Sequence, residues 1–538
     1  MQGLMQDTPL QVSAILRFAE AAHPSVKIVS RQPDGAVWRG DYAALAVRCG
    51  RLARALARLG VQAGDRVATL AWNTHRHMEL LYAVPGMGAV LHTANPRLSD
   101  DQLAYVLNHG GARLLFLDRS FLPLVMRLRP RLEMITAFVV LSVGAGECGI
   151  EGALAYEALL SAAAETGFEW PGFDERQAAV LCYTSGTTGD PKGVLYSHRS
   201  IVLHAMASGL PGALNLSAFD VVMPCSSLYH ATGWGLPYSA PINGCGVVLP
   251  CDRMDAASLH DLIVGEGVTF AAGVPTIWTQ YLRYLDDGGL SAGRLRRMLI
   301  GGSAVPRAMF EAFRARNISV LQLWGMTETS PLGVAATPTP SLAAAAGDDV
   351  EAILWTKQGR RVFGLDLRVV DDAGGAVPAD GVTQGALQVR GSWVVRRYFR
   401  AAADAVDAAG WFDTGDIATI DAAGFIRLTD RAKDVIKSGG EWVSSIDLEN
   451  EACACPGVRI AAAVGVPHPR WDERPVLVVE RHEDADLDEA AVTAFLAGRV
   501  VKWWLPDRVV FDSVPLTATG KIDKKVLRAR YGGIFAVK

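Results

Sequence analysis

What the chain lacks narrows its function before any motif is read. Its 52 Lys and Arg are outnumbered by 56 Asp and Glu, for a net charge of -4, so the basic excess that neutralises a nucleic-acid backbone is missing. No segment reaches the ~18 consecutive apolar residues that a membrane-spanning helix requires. The opening MQGLMQDTPLQVSAILRFAEAAH has no basic stretch followed by an apolar one, so no secretory leader is expected. Eight cysteines in 538 residues do not make a disulfide framework. Cys453 and Cys455 are spaced C-x-C, with no second pair or histidine cluster at metal-ligand spacing. Reduced, unligated thiols in a cytoplasmic protein are therefore expected. Peripheral membrane contact would leave little trace in such a sequence. Internal repeats are absent too.

What is there is an ordinary globular balance, half apolar and a fifth charged, in a chain too long for one hydrophobic core. Asp41 to Leu59 reads as an amphipathic helix, with Leu45, Cys49, Leu52, Leu56 and Leu59 on one stripe and Gly60 as the stop. Val67 to Trp72 reads as a strand, and the alternation continues to about residue 330. That pattern predicts α/β layers with a largely parallel sheet. The apolar runs Ala178–Tyr183, Met298–Ile300 and Val320–Leu323 lead straight into glycine-rich turns, and strand ends of this kind frame ligand crevices.

From about Leu365 the texture changes to short strands and tight turns, including Asp371–Gly375 and Asp421–Gly424, which predicts a smaller β subdomain. A further α+β block begins near Asp430. There Ser445 caps a helix through Glu451, Ala461–Val466 and Pro475–Val479 read as strands, and Asp486 with Glu489 forms a capping box. The expected organisation is thus a large N-terminal domain, residues 1–429, and a small mobile α+β domain, residues 430–538. The alanine-rich stretch Leu342–Ala346 is expected in a surface loop.

The most informative segment is Tyr183-Thr-Ser-Gly-Thr-Thr-Gly-Asp-Pro-Lys-Gly193. Its glycines let the backbone approach a polyanion, the hydroxyls of Thr184, Ser185, Thr187 and Thr188 add donors, and Lys192 adds a cation. Pro191-Lys192-Gly193 stands where a P-loop would need Gly-Lys-Ser/Thr, so this is a phosphate loop of another kind.

With this loop, the chain resembles the adenylate-forming superfamily of acyl-CoA synthetases, luciferases and peptide-synthetase adenylation domains. The resemblance extends from about Leu45 to Arg528. It also rests on Gly301-Gly-Ser-Ala-Val-Pro306, Trp324-Gly-Met-Thr-Glu-Thr329, Trp411-Phe-Asp-Thr-Gly-Asp416, Asp430-Arg-Ala-Lys-Asp434 and Thr519-Gly-Lys521. Lys437-Ser-Gly-Gly-Glu-Trp442 is most similar to medium- and long-chain fatty acyl-CoA synthetases.

The resemblance implies ATP, Mg²⁺ and coenzyme A as cofactors and co-substrates, and a role for each motif. A carboxylate attacks the α-phosphorus of ATP, so the catalyst has to supply positive charge and fixed geometry. Glu328, with Thr184 as a second contact, matches the magnesium position. Thr184, Ser185, Gly186, Thr187, Thr188, Gly189 and Lys192 would hold the phosphates. Trp324 would stack on adenine, in a pocket shaped by Gly302, Ser303, Ala304, Gly325, Met326 and Thr327. Asp416 would bind the ribose, and Arg431 the ribose or phosphate. Lys521 would bridge the substrate carboxylate and the α-phosphate, although Leu516 stands where relatives commonly carry arginine.

For the second step the small domain would rotate about Lys433. Gly439, Gly440 and Trp442 would then line the pantetheine channel, with Lys437 stabilising that state. His230 and Trp234 would face the acyl group, but Ala231, Thr232 and Gly233 depart from the relatives' text. His230 stays open between substrate contact and a structural hydrogen bond. The leading expectation is a ligase joining fatty acids, medium-chain ones slightly favoured, to coenzyme A. The alternatives are a short thioether acid such as 3-methylthiopropionate, acyl transfer to a carrier protein, adenylate oxidation, and a non-catalytic nucleotide binder. Relatives of this kind are often homodimers.

Overall fold

The structure is a computed structural model that describes residues 1, 3–142, 149–163, 167–184, 190–347, 350–439, 441–517 and 521–535. Its first sheet is parallel through Leu154–Ala155, Ala137–Val140, Leu114–Leu117, Arg66–Leu70, Val90–Thr93 and Ala178–Tyr183. Such strands are buried on both faces and read as continuous apolar runs. The seventh strand, Gly193–Ser197, returns antiparallel to Ala178–Tyr183, with Tyr183 opposite Gly193. The phosphate loop therefore links two strands of a hairpin, where a P-loop would link a strand to a helix.

The helix expected from Asp41 spans Tyr42–Arg58. Asp41 Oδ1 accepts the Ala44 N–H at 2.8 Å, which satisfies one of the orphan donors at a helix start. Leu45, Cys49, Leu52 and Leu56 are fully buried as the stripe requires, but Leu59 is 40% exposed, because the helix has already ended there.

A second sheet is parallel through Ser319–Trp324, Arg297–Ile300, Phe270–Gly273, Val221–Pro224, Gly246–Leu249 and Lys27–Arg31. Val37–Asp41 closes one edge antiparallel. At the other edge, Val334–Ala335 and Gly359–Arg361 carry the ladder on into the antiparallel strands Phe425–Arg431, Phe412–Ile420, Gly385–Gly391 and Leu365–Val370. The predicted β subdomain is thus continuous with this sheet, and the shared ladder covers an edge that would otherwise be open.

The C-terminal block forms its own five-stranded sheet from Glu441–Val443, Ile436–Ser438, Asp472–Arg481, Val458–His468 and Arg508–Phe511. Helices Ser445–Cys453, Glu489–Leu496 and Lys524–Tyr531 pack with it. Two caps lie beside their predicted places. Ser444 accepts the Asp447 N–H and Asp488 accepts the Ala491 N–H, so each helix starts one residue after its hydroxyl or carboxylate. The alanine-rich stretch is helical, within Pro340–Ala346, because Thr339 caps it and alanine favours helix. No helix among the described residues is long and apolar enough to cross a membrane.

Candidate active site

The ends of the strands Ala178–Tyr183, Arg297–Ile300 and Ser319–Trp324 carry the turns singled out in the sequence. At the first, the Thr184 N–H donates to the Lys192 carbonyl at 2.9 Å, and Thr184 Oγ1 accepts the Lys192 N–H at 3.1 Å. These bonds pin the base of the phosphate loop. Ser185, Gly186, Thr187, Thr188 and Gly189 lie outside the described residues.

The strand ending at Trp324 runs into Gly325, Met326 and the short helix Thr327–Thr329. A side chain at Gly325 is impossible here, since its Cβ would fall 1.5 Å from the Pro331 carbonyl oxygen. Thr329 Oγ1 accepts the Met326 N–H at 3.0 Å, and the Tyr196 hydroxyl donates to the Thr327 carbonyl at 2.6 Å. The turn is therefore rigid, and it holds Glu328 almost wholly buried. Glu328 Oε1 accepts the Tyr398 hydroxyl at 2.8 Å. Burial raises the Glu328 pKa, opposed by that hydrogen bond and by the Arg431 and Lys192 charges.

Trp324 is buried as well, and its indole N–H donates to Asp416 Oδ2 at 2.7 Å. The other carboxylate oxygen of Asp416 meets Arg431 Nε at 2.8 Å. Burial pushes the Asp416 carboxyl up, while Arg431, Trp324 and Lys521 oppose the rise. The two residues matched to adenine and ribose thus stand side by side, bonded to each other and to Arg431.

Lys521 comes from the small domain into the same cluster. Its loop is clamped, with the Lys521 N–H on Thr517 Oγ1 at 3.2 Å and the Thr517 N–H on the Lys521 carbonyl at 2.6 Å. Thr519 and Gly520 lie outside the described residues. Burial and the Arg431 cation bring the Lys521 ammonium down to about 8, against the pull of Asp416 and Glu328. Burial, helped by the Lys521 charge, brings His230 down to about 4. His230 is therefore neutral, and close enough to Lys521 to feel its charge.

The residues after His230 form an unusual turn. Ala231, Thr232, Gly233, Trp234 and Gly235 all have positive φ, from +38° to +75°. Each non-glycine in that region costs ~1–2 kcal/mol, and Thr232 is β-branched, which aggravates it. Glycine is needed at both of its positions. A Cβ at Gly233 would lie 2.5 Å from Leu228, and one at Gly235 would lie 2.4 Å from the His204 ring. This left-handed turn lays the Trp234 ring against Gly301 and Gly302, the turn that also presents Ser303 and Ala304.

Lys437, Gly439 and Trp442 stand apart. They belong to the hairpin Ile436–Val443, where the Lys437 N–H is bonded to Glu473 and Gly439 packs beside Trp471 and Trp503. Among the described residues, no hydrogen bond or ion pair joins them to Lys521, Glu328 or Asp416. Gly440 lies outside the description. Lys433 sits between the strand ending at Arg431 and this hairpin.

Sequence reasoning missed Tyr398. Its only signal was an aromatic pair inside the basic run Arg396-Arg-Tyr-Phe-Arg400.

Comparison with known proteins shows which family the chain resembles. The family model described as "AMP-binding enzyme" matches residues 22–399, and "AMP-binding enzyme C-terminal domain" matches residues 447–521. The chain is 45% identical to a 3-methylmercaptopropionyl-CoA ligase of Ruegeria lacuscaerulensis, over 99% of each chain. It is 41% identical to a medium-chain-fatty-acid–CoA ligase of Ectopseudomonas oleovorans, over 99% of this chain and 98% of that one. The crystal structure of the anthranilate CoA ligase AuaEII in complex with anthranoyl-AMP superposes with a TM-score of 0.87 at 25% identity. That superposition covers 99% of this chain and all of the other.

Proposed function

Because the chain belongs to the AMP-binding enzyme family, we propose that it is an AMP-forming acyl-CoA ligase. It activates a carboxylic acid as its adenylate, releasing pyrophosphate, and then passes the acyl group to coenzyme A, releasing AMP. The observation that carries this reading is the bonded set of Trp324, Asp416 and Arg431, with the buried Lys521 feeling the charges of Arg431, Asp416 and Glu328.

Adenylation brings together two anions, a carboxylate and the α-phosphate. Lys521 places an ammonium where they meet, in surroundings that weaken solvent screening. Asp416 accepts from the ribose while Arg431 and Trp324 fix its carboxylate, and Trp324 offers the face on which adenine lies. The acid binds already ionised, so no base is required and a neutral His230 suffices as a contact. Trp234, set by the left-handed turn, borders the acyl group.

Glu328 and Thr184 fit a magnesium ion, since both offer oxygen and a hard cation takes its remaining ligands from water and phosphate. No cluster of three or more His, Cys, Asp or Glu suited to a metal occurs among the described residues, which accords with an ion held largely by the nucleotide. When bound, it neutralises phosphate charge.

Thioester formation needs the acyl carbon uncovered, and the loop of Lys521 would cover it during adenylation. The segment 430–538 rotates about Lys433 and brings Lys437, Gly439, Gly440 and Trp442 to the pantetheine channel. This reading sets the domain boundary near residue 430.

Medium- to long-chain fatty acids are the leading substrates. The second reading, 3-methylmercaptopropionate, is favoured by the 45% identity to a ligase of that name. The test is mass spectrometry of products from ATP, Mg²⁺, coenzyme A and a ladder of acids that includes the thioether. Acyl-CoA with AMP supports the ligase, and the preferred acid decides between the two readings. Adenylate accumulating without thioester overturns the coenzyme A assignment.

A further inference from the structure

The side chain of Tyr398 stands between two groups of opposite charge. Its hydroxyl donates to Glu328 Oε1 at 2.8 Å, and Lys192 Nζ lies 4.9 Å from the centre of its ring. The flanking backbone is tied to both neighbours. The Val395 N–H donates to the Glu328 carbonyl, and the Phe399 N–H to the Gly193 carbonyl, each at 2.8 Å. The ring is thus fixed from the phosphate loop on one side and the Glu328 turn on the other.

We propose that Tyr398 is a positioning residue that holds Lys192 and Glu328 apart, so that the cation stays available to the phosphates of ATP and the carboxylate to the accompanying metal. A flexible lysine beside a buried glutamate forms an ion pair when nothing intervenes, and each charge then quenches the other. Here no ion pair joins Lys192 and Glu328 among the described residues. The phenol gives each group a partner of its own, a π face for the ammonium and a hydroxyl for the carboxylate. The hydroxyl engages one carboxylate oxygen and so orients the other. Hydrogen bonds of this sort to ligating carboxylates typically carry about 10–100-fold in metal affinity. The inference rests on the adenylate-forming reading above, because it needs ATP and a divalent cation at these two groups.

The test is equilibrium binding of ATP with Mn²⁺ as a paramagnetic probe, without acid or coenzyme A, and of ATP alone in EDTA. Tyr398→Phe keeps the ring and removes the hydroxyl. Its Mn²⁺ affinity in the ATP complex is expected to fall about tenfold, with metal-free ATP binding unchanged. Tyr398→Ala removes the spacer, so both affinities fall. Wild-type Mn²⁺ affinity in Tyr398→Phe overturns the proposal, and so does an equal loss of metal-free ATP binding in both variants, which would mark a packing role. The two readings fail separately. A wild-type protein that binds ATP and Mn²⁺ but forms no acyl-CoA refutes the ligase alone. An active ligase whose Phe variant binds Mn²⁺ normally refutes the role of Tyr398 alone.

Discussion

With the role proposed for Lys521, the adenylation step is expected to be sensitive to pH in a range where a solvated lysine would not be. Burial and the Arg431 charge bring its ammonium down to about 8, from an ordinary value of 10.5. At pH 9 only about a tenth of the free enzyme then carries the charge, whereas an unperturbed lysine would be about 97% charged. The profile of kcat/KM for ATP reports groups of the free enzyme. ATP–pyrophosphate exchange without coenzyme A isolates the first half-reaction. The expected profile is level below pH about 7.5 and falls close to tenfold per pH unit above about 8.5. Lys521→Arg, whose guanidinium stays charged throughout, should be slower but level across that range. The sign for stability is opposite. The folded pKa lies below the unfolded one, so between about 8 and 10.5 the unfolded chain binds more protons, and this group's contribution to stability rises with pH. A wild-type profile level beyond pH about 9.5, or an unchanged alkaline limb in Lys521→Arg, would refute the charge argument.

Lys521→Ala should lower exchange by about 10²–10³-fold yet leave thioester formation from preformed adenylate largely intact, and near-normal exchange would sink the assigned role. Lys433→Pro stiffens the proposed hinge, so exchange should persist while thioester formation drops about 100-fold; equal loss of both steps counts against a hinge there. Gly325→Ala drives a methyl into the Pro331 backbone carbonyl and should cost about 3 kcal/mol of stability, read by denaturant unfolding. A variant as stable as wild type would show that the chain crossing is looser than described.

Much of this was legible in the sequence because it is local. An aspartate before an apolar stripe specifies the helix after Asp41. Continuous apolar runs specified parallel strands ending at the site. Errors were local as well. Caps slipped by a residue or two around Ser444 and Asp488, since several neighbouring side chains could serve, and the alanine stretch was misread because loop and helix compete there.

The sequence by itself determined which residue types stand near the strand ends: a glycine- and hydroxyl-rich loop, a carboxylate in a short turn, a lysine on a distant loop. Only the tertiary structure decided what those residues are to one another. Trp324 and Asp416 are 92 positions apart and share a hydrogen bond, and Glu328 meets Tyr398 across 70. Contacts of that span depend on how sheets and domains pack, and no local pattern encodes them. The same holds for the lowered pKa of Lys521 and the neutrality of His230. Both arise from burial and from charges carried by distant parts of the chain, and a pKa is a property of surroundings that exist only once the chain has folded.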